Sequence, residues 1–364
     1  MGDIKSAFYD IQEKLGATFT PEGGWFWTES FGDLAAEYRA PREGVGMWDV
    51  SPLNKWEFRG SDALRAAQRI HSNDLLGMDV GQVKYGAFLD RDGLMVDDGT
   101  VYKHADDFVW VMTNGMERKD YFQEYVGDLD VNIEYKAFEM PHLQVQGPKS
   151  RELVQSLTDT DISGLRYFRF LTEQVKVGGV PVWLSRTGFS GEVGYELFVH
   201  PDNAEALWTA VQDAGAIPYG VGVIEQIRIE TGMVVTDYDY EPHTRTPYDL
   251  SLDRLVAIDK AGEFVGKDRL REVAANPPNR FKTIRLDGSE LPEYGAAVTR
   301  DGEDVGTLTS PADSPRFGPI GLAILRTDVA RDGEKVDVAL DGGTVRGTVD
   351  RLAILDPEKS KPRG

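Results

Sequence analysis

The chain has 364 residues, enough for about two or three domains at roughly 150 residues each. Its 40 Lys and Arg against 61 Asp and Glu leave a net charge of −21, which repels phosphate backbones and argues against a nucleic-acid partner. Hydrophobic residues at 41% and aromatics at 10% exclude wholesale disorder, and the absence of cysteine excludes disulfides, thiolate metal sites and a cysteine nucleophile.

The N-terminal stretch MGDIKSAFYDIQEKLG has no apolar signal core, and no apolar run approaches the ~18 residues of a spanning helix. The expectation is a soluble, cytoplasmic chain with no membrane partner. The first fifty residues combine a short helical stretch with the segment Glu22-Gly-Gly-Trp-Phe-Trp27. Ser61 reads as an N-cap for a helix over DALRAAQRIH. VKYGAFLD and GLMVDDGTVYK read as strands joined by a hairpin at Asp90-Arg-Asp-Gly93, and FVWVMTN, ending at Asn114, reads as a third. HLQVQGP, EQVKVGGVPVWLSRTG and YELFVHP predict further strands, with helices over Asn203 to Ala214 and Val223 to Gly232. Asn276-Pro-Pro-Asn279 predicts a linker, and the short strands beyond it an all-β module of about 80 residues. The tail PEKSKPRG is expected to fray.

Several chemistries lack their residues. GKD at 266 to 268 has no P-loop spacing, and no G-x-G-x-x-G opens a helix after a strand. The five histidines show neither H-x-H nor H-E-x-x-H pairing, so no metal site is expected.

Six stretches in order carry a resemblance. Ser185-Arg-Thr-Gly-Phe-Ser-Gly-Glu-Val-Gly-Tyr-Glu196 is similar to the S-R-T-G-Y-T-G-E-x-G-F/Y-E stretch of the glycine-cleavage T-protein (aminomethyltransferase) family. Gly44-Val-Gly-Met-Trp-Asp-Val-Ser51 resembles that family's G-V-G-M-F-D-V-S. Tyr85 with Gly93-Leu-Met-Val-Asp-Asp98 resembles its Y…G-G-I/V-I/L-D-D. Val145-Gln-Gly-Pro148, Phe264-Val-Gly-Lys-Asp268 and Thr309-Ser…Gly321-Leu-Ala complete the series. The resemblance implies an α+β fold in three domains, arranged as a cloverleaf ring around a central folate channel. Residues 1–50 with 141–275 would form a discontinuous folate-binding domain, 51–140 a second α+β domain, and 276–364 a C-terminal β-barrel domain.

The resemblance also implies tetrahydrofolate as cofactor, with Tyr85, Glu196, Phe189 and Asn114 around it and Asp98 as the catalytic carboxylate. Residue chemistry agrees in part. A carboxylate such as Glu196 can accept two in-plane bonds from a pterin. Asp97 and Asp98 are neighbours on a strand, so they point to opposite faces and only one can face the channel. Glu192, in the turn, is expected to face solvent.

The chain departs from the family around the reacting end. Ile224 stands at the first arginine of G-L-G-A-R-D-x-x-R-L-E-A, while Arg228 keeps the second. Y-G-Q-D-M-D reads Thr236-Asp-Tyr-Asp-Tyr-Glu241, and Phe189 replaces a tyrosine. With Ile224, the aromatics Trp25, Trp27 and Tyr238 become candidate substrate contacts, suited to an apolar substrate or a methyl-onium cation; the two tryptophans would serve equally as interdomain packing. The expectation is a folate-dependent demethylase that moves a methyl group from a small O-, S- or N-methylated metabolite. Two alternatives stand beside it. One is aminomethyl transfer in glycine cleavage with a lipoyl carrier protein as partner; the other is a non-catalytic folate-binding accessory protein.

Overall fold

Strands form where apolar residues alternate with polar ones, and they assemble into three main sheets. The computed structural model describes residues 3–115 and 118–364. A six-stranded sheet runs, in spatial order, Val175–Val177, Val180–Ser185, Gly194–Val199, His142–Gln146, Gly46–Asp49 and Ile217–Pro218. A five-stranded antiparallel sheet runs Val83–Leu89, Met95–Ala105, Phe108–Thr113, Asn54–Arg59 and Asn132–Tyr135. The C-terminal module closes into a barrel of six strands between Asn279 and Asp350. The fold is therefore α+β with a C-terminal β barrel. A hairpin of Thr18–Glu22 and Trp25–Ser30 stands apart from these sheets. No helix among the described residues is long and apolar enough to cross a membrane.

Each large sheet buries one face in its own lobe. In the first, Met47, Val145, Tyr195 and Leu197 pack with Leu207, Trp208 and Val211 of the Ala204–Asp213 helix. In the second, Val101, Val109 and Val111 pack with Leu64, Ala67 and Ile70 of the Ala63–Ile70 helix. The other faces of the two sheets meet through Tyr102, Trp110, Phe170 and Phe198.

The Val221–Thr231 helix joins the first lobe to the barrel. It ends at Gly232, whose φ of 64° is the left-handed stop that glycine favours, and a Cβ there would fall 2.5 Å from the carbonyl oxygen of Leu352. Arg228 on this helix is wholly buried. It donates to Glu225 at 2.7 Å, to Asp239 at 2.8 Å and to the barrel's Ser310 at 2.8 Å. Two residues on, Glu230 accepts from Arg42 at 2.9 Å, from Tyr38 at 2.6 Å and from Ser314 of the same barrel strand at 2.6 Å.

Three local expectations need correction. Ser61 is not the helix cap; its hydroxyl donates to Asp130 at 2.7 Å, and Asp62 holds the cap position. The short helical stretch expected in the first fifty residues is two helices, Tyr9–Lys14 and Leu34–Glu43, the second with Pro41 inside it. The tail does not fray: Lys361 pairs with Glu192 at 2.6 Å, and Arg186 donates to the carbonyl of Arg363 at 2.8 Å.

Arg228→Met should destabilise the protein by about 3–5 kcal/mol, because Asp239 then stays buried without its cation. Urea unfolding checks this, and Arg228→Met combined with Asp239→Asn should recover part of the loss.

Candidate functional site

Strand register brings the polar residues together. Trp48, Gln144, Glu196 and Ser185 are direct neighbours across four strands, so they share the face turned away from the first lobe's core. On the second sheet Asp98, Thr100 and Tyr102 share the facing side, whereas Asp97 and Val101 point into the second lobe. Tyr102 reaches across and donates to Glu196 at 3.0 Å. Asp98 lies four residues back along that strand, roughly 13 Å away.

The two adjacent aspartates have different partners. Asp97 pairs with Arg118 at 2.8 Å and accepts from Asn114 Nδ2 at 2.9 Å and Gly115 N at 3.0 Å. Among the described residues the side chains that meet the Asp98 carboxylate are neutral: Tyr85 donates to Oδ2 at 2.8 Å, Tyr240 donates to Oδ1 at 2.6 Å, and Thr236 Oγ1 lies 3.2 Å from Oδ1. With 6% of its surface exposed, burial pushes its carboxyl up to about 6, the charge of Asp97 adds to the rise, and the three hydroxyls oppose it. Gly99 follows because a Cβ there would fall 1.9 Å from the carbonyl oxygen of Met112.

Glu196 is buried and already engaged. Gln144 donates to Oε1 at 2.7 Å, and the hydroxyls of Tyr102 and Thr187 donate to Oε2. Burial opposes its ionisation, but the adjacent His142 and these hydroxyls outweigh burial and hold its carboxyl below the ordinary value. His142 lies 3.4 Å away, burial pushes its imidazole down, and neither of its ring nitrogens has a hydrogen-bond partner among the described residues. The indole nitrogen of Trp48 is also buried and has no partner among the described residues. Lys55, fully buried, donates to the carbonyl of Ser51 at 2.9 Å, and burial pushes its amine down to about 7 against the pull of Asp49 and Glu196.

The structure brings Tyr85, Asn114 and Asp98 into one cluster. Phe189 and Ile224 meet in another, an apolar group with Tyr38, Trp48, Tyr219 and Ile227, against which Trp27 also packs. Trp48 belongs to both that group and the row containing Glu196. Trp25 lies apart, stacked on Phe138 with ring centroids 5.5 Å apart, which is the packing role. Tyr238 is 37% exposed and sits edge-on to Tyr294 of the C-terminal module at 5.7 Å. Glu192 does not face solvent: it is 5% exposed, between Lys361 at 2.6 Å and Arg42 at 3.6 Å. A surface cleft of about 560 Å³, lined by Arg39, Lys149 and Ile217, contains none of these residues. Sequence reasoning missed Tyr102, His142, Lys55 and Tyr240. Tyr102 was within reach, since period-two alternation from Asp98 leads to it.

Two lobes of facing sheets closed by a small β barrel, with carboxylates buried between the sheets, define a class. Residues 8–260 match the GCVT N-terminal domain, and residues 279–356 match the glycine cleavage T-protein C-terminal barrel domain. Proteins of this class are folate-dependent one-carbon transferases, and this chain is such an enzyme. It is 33% identical to the "Probable aminomethyltransferase" of Halobacterium salinarum, over 98% of this chain and 100% of that one. It is 34% identical to the "Aminomethyltransferase" of Streptomyces avermitilis, over 89% of each. The crystal structure of glycine cleavage system aminomethyltransferase T from Bartonella henselae shares the fold, with a TM-score of 0.87 over 96% of this chain and 98% of that one at 20% identity. The chain belongs to the glycine cleavage T-protein family.

A carboxyl whose folded pKa lies above its unfolded value costs stability once ionised. From Asp98 the wild type therefore gains stability as pH falls through about 6 toward the ordinary carboxylate value of 3.8. Asp98→Asn should be more stable than wild type at pH 8, by about 3 kcal/mol, with the gap closing near pH 4. Denaturant unfolding at both pH values checks this.

Proposed function

We propose that this enzyme transfers an aminomethyl group to tetrahydrofolate from a lipoyl carrier protein, as the T-protein of glycine cleavage. The observation that carries the reading is Asp98: a carboxyl raised by burial, with hydroxyl donors and no cation among its side-chain partners in the described residues, is an acid–base group rather than an ion-pair partner. Aminomethyl transfer needs such a group twice, because folate nitrogens shed protons and the departing amine takes one up. The names of the relatives, matched along nearly the whole chain, support the same reading.

The facing sheets suit a pterin. His142 and Trp48 carry buried polar atoms without partners among the described residues on the Glu196 face, and a ring with its own donors and acceptors would satisfy them. In this reading Glu196 accepts from the ring once the Tyr102 or Thr187 hydroxyl turns away, Phe189 packs on it, and Tyr85 and Asn114 hold the Asp98 end. Bound folate supplies the amine nitrogens that receive the carbon; the chain orients them, excludes water and moves a proton at Asp98. Three units form this frame in the proposal, residues 1–50 with 141–275, 51–140 and 276–364, and the three separate sheets support that division.

One observation favours a second reading. Ile224, where the family motif has arginine, is buried among Tyr38, Trp48 and Tyr219 and presents an apolar surface. A demethylase acting on a small methylated metabolite would use such a wall.

Product analysis decides between them. Aminomethylated carrier with tetrahydrofolate should yield 5,10-methylene-tetrahydrofolate and ammonia; 5-methyl-tetrahydrofolate from a methyl donor, with no turnover of the carrier, would establish the demethylase instead. Glu196→Gln should weaken tetrahydrofolate binding by about 1.5–3 kcal/mol in calorimetry, the scale of a charge-assisted bond. Unchanged affinity would remove Glu196 from the folate site.

A further inference from the structure

The hydrogen bonds around Asp98 run in one direction. Asn114 Nδ2 lies 3.4 Å from Thr236 Oγ1, Thr236 donates to the Tyr240 hydroxyl at 2.8 Å, and Tyr240 donates to Asp98 Oδ1 at 2.6 Å. Thr236 Oγ1 also lies 3.2 Å from that same Oδ1. Oδ2 receives one bond, from Tyr85 at 2.8 Å. Each carboxylate oxygen has two acceptor directions. Two hydroxyl oxygens therefore flank Oδ1, the single proton of Thr236 serving either Tyr240 or Asp98, whereas among the described residues one hydroxyl meets Oδ2.

The chain builds this arrangement from a tight turn. Asp237 takes a φ of 69° where the similar family stretch has glycine, and its amide donates to the Tyr240 carbonyl at 2.8 Å. Thr236 and Tyr240 thereby come side by side in a bridge. The family stretch has tyrosine at the first of these positions and methionine at the second. Here the phenol enters from the second position and the first carries a hydroxyl small enough to sit behind it. Tyr240 belongs to the segment after the Val221–Thr231 helix, so its bond to the strand Met95–Ala105 joins two lobes. The groups facing Asp98 are Tyr85 from the neighbouring strand and Thr236 and Tyr240 from this segment; Asp97, next to it on the opposite face, adds a charge that Arg118 counters.

We propose that Tyr240 is a positioning residue which, with Thr236 behind it, flanks Oδ1 and makes Oδ2 the oxygen through which Asp98 exchanges a proton with the folate amine. The step moves one proton from that nitrogen to Oδ2 and leaves Asp98 neutral. The assignment rests on the transferase reading above. It makes the proton affinity of Asp98 depend on how the 236–240 turn is seated, because that turn carries the Tyr240 donor.

The test is Tyr240→Phe, which keeps the ring in the core and removes the donor. Carbon-13 NMR of aspartate-carboxyl-labelled, folate-free protein reads the Asp98 midpoint, its resonance assigned by loss in Asp98→Asn. The ionised form loses a bond, so the midpoint should rise by about one pH unit. The acidic limb of kcat should rise with it, while KM for tetrahydrofolate stays within about twofold. Thr236→Val should move the midpoint in the same direction by less, and it keeps the test open where Tyr240→Phe fails to fold. An unmoved or lowered midpoint in a folded variant overturns the proposal, even where wild type transfers a one-carbon unit normally. A raised midpoint with no such transfer by wild type overturns the functional reading instead, and leaves the hydroxyl control of Asp98 standing.

Discussion

The buried guanidinium of Arg228 is the interaction on which the assembly turns. It lies on the helix that leaves the first lobe, meets two carboxylates, and reaches a serine of the barrel. Asp239, one of those carboxylates, also accepts from Thr309 and Ser310, so the segment that carries Thr236 and Tyr240 is tied to the barrel through it. Glu230 repeats the pattern one step along the helix, with Arg42 on one side and Ser314 on the other. Buried ion pairs of this kind add little net stability over apolar packing, and their directional bonds restrict how the lobes can dock. That restriction matters here because Asp98 receives its hydroxyls from two separate lobes.

Three carboxylates near the sheet interface show how partners assign roles. Asp97 has a cation and serves the strand connection. Glu196 has hydroxyl and amide donors around both oxygens and stays ionised. Asp98 has hydroxyls and no cation among its side-chain partners in the described residues, and a like charge nearby, so its proton is loosely committed. Sequence spacing separates Asp97 from Asp98 by face, but the difference in chemistry comes from Arg118 and Tyr240, 21 and 142 residues away from them respectively. Holding an ionisable carboxyl in such surroundings costs stability, and that cost is typical of sites shaped for reaction rather than for folding.

Several placements turn on partners distant in the chain. Glu192 looks like a solvent-facing turn residue until the C-terminal segment folds over it and supplies Lys361. Trp25 and Trp27 are two residues apart on a hairpin strand, yet Trp25 stacks on Phe138 of the connection between lobes while Trp27 packs with Trp48. Tyr238 and Tyr240 likewise diverge, one to the surface beside Tyr294 and one into the core. In each pair the local pattern is the same, and the partner comes from a distant stretch of chain.

Alternation and turn chemistry by themselves determined the strands, the proline-marked start of the barrel and the opposite facing of Asp97 and Asp98, because these depend on backbone periodicity and on residues a few positions apart. The order of six motifs determined the family. Only the tertiary structure decided which hydroxyls surround Asp98, that His142 and Trp48 stand on the Glu196 face with nitrogens unpartnered among the described residues, and that Arg228 binds helix to barrel. Those contacts join residues tens to hundreds of positions apart, and a buried group takes its proton affinity from whatever partners the closed lobes bring within about 3 Å.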